Sequence, residues 1–344
     1  MMNMEIKPIY PVEPWTITET SFDRKYNYRN ETTFSLSNGY IGTRGTFEEA
    51  YDFDIDTGLE GNFVNGFYES EQIRYGEANF GSPLFSQSLL NLPNMKETRV
   101  LLEDEWFTME EGTIENYSRI LHMKDGVLKR SLVWTSPRGR KAEIRFQRLV
   151  SFEMKNIMAI RVQVTPLNFS GKIQFRSRLQ ADVENHTRKT NPIVDYGPFG
   201  RRLEPLRLEG EGHRLYYEGI TKNSRLTAAC GCSHRVSGSG CETGWEFCTG
   251  ELEGTAVLTA EAKEGCAVVL EKMLCYSTDL DLPAEDLKGY ILDALEEAEQ
   301  KTFGGLEKSQ KAYMGRFWDT ADIRIQGKDS QALQQGLRFN LFHI

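Results

Sequence analysis

From about residue 97 to 180, apolar and polar residues alternate with a period of two. Leu128, Arg130, Leu132 and Trp134 form one row, interleaved with Val127, Lys129, Ser131 and Val133. Ala142, Ile144 and Phe146 interleave with Glu143, Arg145 and Gln147, and Met158, Ile160, Val162 and Val164 with Arg161 and Gln163. A fourth run sets Ile173, Phe175 and Leu179 against Lys172, Gln174, Arg176 and Arg178. Successive side chains on a strand point to opposite faces, so these runs predict strands buried on one side. Asp125-Gly126, Pro137-Arg138-Gly139 and Asn168-Phe169-Ser170-Gly171 supply tight turns between them. No helical stretch intervenes, so the pairing is predicted to be antiparallel. Residues 187–212 break the rhythm with Asn191-Pro192, Gly197-Pro198 and Gly200, which predicts a long loop. Strands resume near 213–222 and continue to about 277.

At Pro283 the period changes. Leu287, Tyr290, Ile291, Ala294 and Leu295 fall on one face of an amphipathic helix, which Gly304-Gly305 is expected to end. A second helix follows with Leu306, Tyr313, Met314 and Phe317 inward, then an extended piece over 322–326. A third helix opens at an Asp329 or Ser330 N-cap and carries Leu333, Leu337 and Leu341 on one stripe. That stripe has no later partner in the sequence, and a helix without one is marginal in water. The pattern thus predicts a mainly β chain, a large antiparallel β domain with a helical tail, belonging to a longer protein.

Composition narrows the function classes. The formal charge is −9 with no basic run, which excludes an ordinary nucleic-acid binder. No apolar stretch approaches the ~20 residues of a membrane span and Met1–Tyr10 lacks the apolar region of a secretion signal, so a cytoplasmic location is expected. The six cysteines lie in the second half and are expected to be reduced and buried in strands. A Cys230-x-Cys232 pair with His234 nearby lacks paired zinc-ligand spacing. The acid pairs Glu48-Glu49, Glu103–Glu105 and Glu296-Glu297 read as solvated charges of turns and helices. The five histidines show no triad partner. Trp106, Trp134 and Trp245 have the shape to stack on sugars, although core packing is the default for them.

The segment Glu31–Glu49 concentrates glycine and polar residues. It lacks the Gly-Lys-Ser/Thr ending of a phosphate loop, and its simplest reading is a bent strand corner with Arg44 hydrogen-bonded inside. Phe34-x-x-x-Asn38-Gly39-Tyr40-x-Gly42-x-Arg44-Gly45 resembles the N-terminal domain of glycoside hydrolase family 65, which includes maltose, trehalose, kojibiose and nigerose phosphorylases. Gly61–Tyr68, Asn91-Leu-Pro93, Leu121-x-Met123-x-x-Gly126-x-Leu128-x-Arg130, Ser136–Arg140 and Gln334–Phe342 resemble further blocks of the family, in the family's order.

The resemblance implies a β super-sandwich over 1–278, a helical linker over 279–327 and the start of an (α/α)6 barrel over 328–344. It implies a parent reaction of inverting phosphorolysis, in which an α-glucoside and phosphate give β-glucose 1-phosphate. The general acid and the phosphate-binding residues would lie in the barrel beyond Ile344, so no catalytic, cofactor or metal residue is assigned here. Inorganic phosphate is then a co-substrate and no cofactor is expected. The implied partners are the chain's own barrel, an α-linked glucose disaccharide and a second copy in a homodimer, with no nucleic acid and no membrane. Asn38, Gly39, Arg44, Asn65 and Tyr68 are the candidates for a barrel-facing or substrate-mouth loop. Two alternatives stay open: a freestanding carbohydrate-binding sandwich, and a family 65 hydrolase that uses water in place of phosphate.

Overall fold

A computed structural model describes residues 8–51, 58–77, 80–186, 194–195, 200–238, 244–328 and 330–344. Nine strands form one antiparallel sheet, in the order Thr16–Glu19, Thr113–His122, Val127–Thr135, Lys141–Val150, Ile157–Pro166, Val268–Thr278, Thr227–Gly238, Arg214–Thr221 and Leu203–Glu211. Five strands form a second: Gly244–Thr249, Glu253–Ala262, Gly171–Gln180, Thr98–Leu102 and Glu105–Trp106. The hairpins follow the predicted alternation, with Leu132 opposite Ile144, and Ile144 opposite Val164. Leu132, Trp134, Ile144 and Phe146 of the large sheet meet Val100, Ile173, Phe175 and Leu258 of the small one in a single buried core. Two sheets, each with one apolar face, must bury those faces together, and a sandwich results.

The loop predicted over 187–212 contains the strand Leu203–Glu211, which pairs with Arg214–Thr221. Its outer positions are exposed, so its sequence lacks the two-sided contrast that marks the central strands. The Asn191-Pro192 and Gly197-Pro198 turns lie outside the described residues.

A short helix, α1 (Asn27–Thr33), leads into small strands at Leu36–Ser37, Ile41–Thr43 and Asn62–Val64. The far face of the nine-stranded sheet is covered by α2 (Leu287–Ala321). Leu287, Ile291, Leu295, Ala298, Phe303 and Leu306 pack there on Val127, Leu149, Ala159, Ala229 and Met273. Each large apolar side chain so buried is worth roughly 1.5–3 kcal/mol. A Cβ on Gly231 would sit 2.9 Å from Ile291 Cγ2, so glycine there lets the helix approach the sheet.

The helix breaks at Thr302 (φ +60°, ψ 167°) and not at Gly304-Gly305, which lie inside its second half. Glu271 of the sheet accepts from the Phe303 N–H at 3.4 Å, and the Phe303 ring is fully buried. The sheet beneath thus fixes the break, ahead of the glycines. As predicted, Met314 is buried; Tyr313 is instead partly exposed and stacks on Phe152 with ring centroids 4.4 Å apart.

The third helix, α3 (Ser330–Phe342), docks by a polar face. Gln334, Gln335 and Arg338 are buried, whereas Leu333 is 58% exposed. Gln335 donates to the carbonyls of Pro11 and Thr16, and Arg338 binds Asp322 through two hydrogen bonds of 2.7 Å while lying 3.6 Å from the centre of the Trp15 ring. No helix among the described residues is long and apolar enough to cross a membrane.

Candidate functional site

The glycine-rich segment forms a strip across the inner face of the nine-stranded sheet. Asn38 closes its first turn: its Oδ1 accepts from the Tyr40 and Ile41 N–H groups at 3.0 and 2.8 Å. Its Nδ2 donates to the carbonyls of Ser151 and Lys155, tying the turn to the sheet. Gly39, at φ +85°, is the exposed tip. Asn65 is exposed beside it, with its N–H on the Tyr40 carbonyl at 2.8 Å. Tyr40 donates to Asp281, which also pairs with Lys155 at 3.0 Å, so this corner is fastened to the segment that leads into α2.

Arg44 lies at the opposite end of the strand Ile41–Thr43. It donates to the Leu59 and Tyr28 carbonyls at 2.9 and 3.1 Å and to Thr32 at 2.9 Å, and it pairs with Glu31 at 3.4 Å. Glu31 also accepts from the Leu59 N–H and from Asn27. Burial raises its carboxyl above the usual carboxylate range, despite the Leu59, Tyr51 and Arg44 contacts that oppose the shift. Tyr68 starts a separate two-stranded sheet opposite Leu89 and is 39% exposed. The five candidates therefore divide: Asn38, Gly39 and Asn65 share one corner, while Arg44 and Tyr68 stand apart. Arg44 takes the internal hydrogen-bonding role of a bent strand corner.

Beyond Arg44 the strip enters a buried ionic network. A Cβ on Gly45 would lie 2.5 Å from the Phe34 carbonyl oxygen, so only glycine passes there. Arg119, Arg130 and Arg148 rise toward it from three adjacent strands, and Arg119 and Arg130 are register partners. Arg130 binds Glu49 at 2.7 Å and Glu48 at 3.3 Å. Arg148 binds Glu48 through Nε at 3.0 Å and the Thr46 carbonyl at 2.7 Å. Arg119 donates to the Gly45 carbonyl and lies over the Phe34 and Phe47 rings. Lys96 donates to Thr43 at 2.7 Å and to the Arg44 carbonyl at 3.1 Å, and pairs with Glu60.

Glu48 and Glu49, read from sequence as solvated, are each 4% exposed. Burial pushes the Glu48 carboxyl up, but Arg148 and Arg130 outweigh it and hold the pKa below the usual range. Burial lowers the Lys96 ammonium to about 8, offset only in part by Glu60. A carboxylate saturated by two guanidiniums is a poor proton donor, so this network positions the strip and does not itself transfer protons. One sequence signal pointed to it: Arg130 and Arg148 occupy apolar-row positions of their strands, where a cation needs a buried partner.

The remaining acids and aromatics separate as follows. Glu105 is also buried, bound to Ser136 at 2.7 Å and to Arg140, whereas Glu296 and Glu297 are exposed as expected. Trp134 is core; Trp106 and Trp245 are half-buried. Cys230, Cys232 and Cys275 are buried in strands, Cys248 is exposed and Cys266 half-buried. Cys241 lies outside the described residues. His234 is buried, its Nδ1 on the His213 carbonyl at 2.9 Å and its Nε2 on Ser177 at 2.7 Å.

Comparison with known proteins agrees with this architecture. The chain is 36% identical to an alpha,alpha-trehalose phosphorylase of Thermoanaerobacter brockii over 346 residues, covering 100% of the chain and 44% of that protein. It is 33% identical to an alpha,alpha-trehalose phosphorylase of Geobacillus stearothermophilus, covering 96% of the chain and 42% of that protein. The chain thus spans less than half the length of these relatives. A solved structure described as a putative kojibiose phosphorylase from human microbiome superposes with a TM-score of 0.81 at 21% identity, over 96% of this chain and 41% of that one. Residues 17–317 match the model of the glycosyl hydrolase family 65 N-terminal domain, and the chain belongs to that family.

Proposed function

We propose that this chain is the non-catalytic N-terminal part of an inverting α-glucoside phosphorylase. The observation that carries the reading is the 36% identity to a trehalose phosphorylase across the whole chain. In the parent reaction a carboxylic acid protonates the glycosidic oxygen as the C1–O bond breaks. Phosphate oxygen forms the new bond from the opposite face, giving β-glucose 1-phosphate and the released sugar. The groups for both steps belong to the remaining part of the protein. The sandwich over 1–278, the linker over 279–327 and the barrel's opening helix over 328–344 are the domain division we infer. The last sheet strand, Val268–Thr278, and the helices α2 and α3 fit those limits.

In this reading the corner of Asn38, Gly39 and Asn65 faces the barrel and shapes the substrate mouth, and Tyr68, on its separate two-stranded sheet, is a second candidate contact. Its support is that Gly39 and Asn65 are exposed at a turn that Asn38 fastens to the sheet. The protein works in the cytoplasm as a homodimer on an α-linked glucose disaccharide. The test is glucose 1-phosphate release from trehalose, kojibiose and maltose by the protein that carries this chain together with its barrel, with and without phosphate. Phosphate-dependent release is expected. Release of free glucose alone would make the protein a hydrolase, and full activity after deletion of 1–270 would remove the role of the sandwich.

A further inference from the structure

The described surface carries a cleft of about 470 Å³ at the edge of the five-stranded sheet, where the strand Glu105–Trp106 pairs with Leu101 and Leu102. That volume lies within the roughly 300–1,000 Å³ typical of small-ligand sites. Trp106 is half-buried within it. Arg99, Asp104, Glu110, Glu111 and Arg138 contribute polar walls.

A second depression adjoins the cleft through Arg99, which lines both. The Trp106 ring centre lies 4.9 Å from the Arg176 guanidinium, and Arg176 lines the neighbouring depression together with Arg99 and Arg178. Arg176 does not line the Trp106 cleft. The guanidinium therefore steadies the indole, and Trp106 itself lines the cleft.

The charges select the class of ligand. Glu49, Asp104, Glu105, Glu110 and Glu111 line the cleft with Arg99 and Arg138 and leave it no net positive charge to draw phosphate or sulfate. Most of these acids are already engaged: Glu49 with Arg130, Asp104 with Arg138 and Arg140, Glu110 with Arg24 at 3.3 Å. No group of three potential metal ligands occurs among the described residues. Carboxylates accept from hydroxyls, guanidiniums donate to them, and a flat indole packs on the C–H face of a pyranose. We propose that this cleft is a neutral-sugar site that holds a glucose unit of an α-glucoside on Trp106. The choice of glucose rests on the phosphorylase reading; the preference for a neutral, hydroxyl-rich ligand rests on the cleft alone.

Isothermal titration of this chain with maltose, trehalose, kojibiose and glucose 1-phosphate tests the site. Saturable binding of at least one neutral disaccharide is expected, with glucose 1-phosphate weaker. Trp106→Ala should weaken binding roughly tenfold, the loss of one aromatic contact. Trp106→Phe, which keeps an aromatic face, should retain most of the affinity. Unchanged thermal midpoints for both variants would assign the loss to the site and not to folding. Absence of saturable disaccharide binding, equal affinity in Trp106→Ala, or tighter binding of glucose 1-phosphate would overturn the proposal. Phosphate-dependent glucose 1-phosphate release by the unsubstituted, barrel-containing protein is scored separately. Its absence alongside Trp106-dependent binding would sink the phosphorylase reading and leave the sugar site standing.

Discussion

The two faces of the nine-stranded sheet are covered in opposite ways. The face under α2 is buried and apolar, with Leu295 in one cluster with Ala159 and Ala229. The face under the 43–50 strip is threaded by guanidiniums and carboxylates, with Arg130 sandwiched between the Phe47 and Phe146 rings at 3.9 and 4.1 Å. Both are buried, yet they fail differently. Losing an apolar contact leaves a cavity, whereas losing one ion leaves a charge with no water to solvate it. Apolar packing also tolerates small shifts of the helix. The ionic strip is held by directional bonds, which fix its position on the sheet.

The largest expected effect breaks the ionic face. Arg130→Met strands Glu49 and half of Glu48's partners, and should lower stability by about 3–5 kcal/mol at pH 7 in urea denaturation. Adding Glu49→Gln should recover more than half of that loss. A double variant no better than the single would mean that the cost lies in packing and not in charge. On the apolar face, Leu295→Ala should cost about 3 kcal/mol, in the range for buried leucines, with the same value at pH 5 and pH 7. A strong pH dependence of that loss would erase the contrast between the faces.

A third measurement sharpens the comparison by titration. His234 lies between the sheets, and burial, with Lys272 adding to it, lowers its pKa from 6.5 to about 3. The folded state therefore binds fewer protons than the unfolded chain between those values. Stability is full above about pH 6.5 and falls as the pH drops toward 3. The loss from this group between pH 7 and pH 5 should be about 2 kcal/mol. His234→Asn should flatten that part of the profile; an unchanged slope would assign the acid sensitivity to other groups.

The smallest effect concerns α3. Arg338→Ala should cost about 1–3 kcal/mol, through its paired bonds to Asp322 and its contact with Trp15, while Leu333→Ser should stay within about 0.5 kcal/mol. The reverse order, measured by thermal melting, would show that the leucine stripe and not the polar face seats this helix.

Much of the fold was legible in local pattern. Leu132, Ile144 and Val164 stand opposite one another because alternation and the short connections over 136–140 and 151–156 fix register together. Most of the buried face of α2 followed from its 3.6-residue period, with Tyr290 and Tyr313 the exposed exceptions. The break at Thr302 was hidden because Glu271, on a distant strand, caps Phe303. The docked face of α3 was hidden because its glutamines and arginine find partners in Pro11, Thr16 and Asp322, which no helical pattern reveals. Of the candidate corner, Asn38-Gly39 could be read as a turn, but its fastening to Ser151 and Lys155 could not.

The sequence alone determined which residues alternate, where the turns fall and where the helical period begins. These are local properties, fixed by backbone sterics and by the sorting of apolar from polar side chains. Only the tertiary structure decided the fate of the charges. Glu49 and Arg130 stand 81 residues apart, and burial is tolerable for either only because the fold brings them together. The free energy of a buried ion depends on its partner, and that partner is a property of the fold and not of the neighbouring sequence.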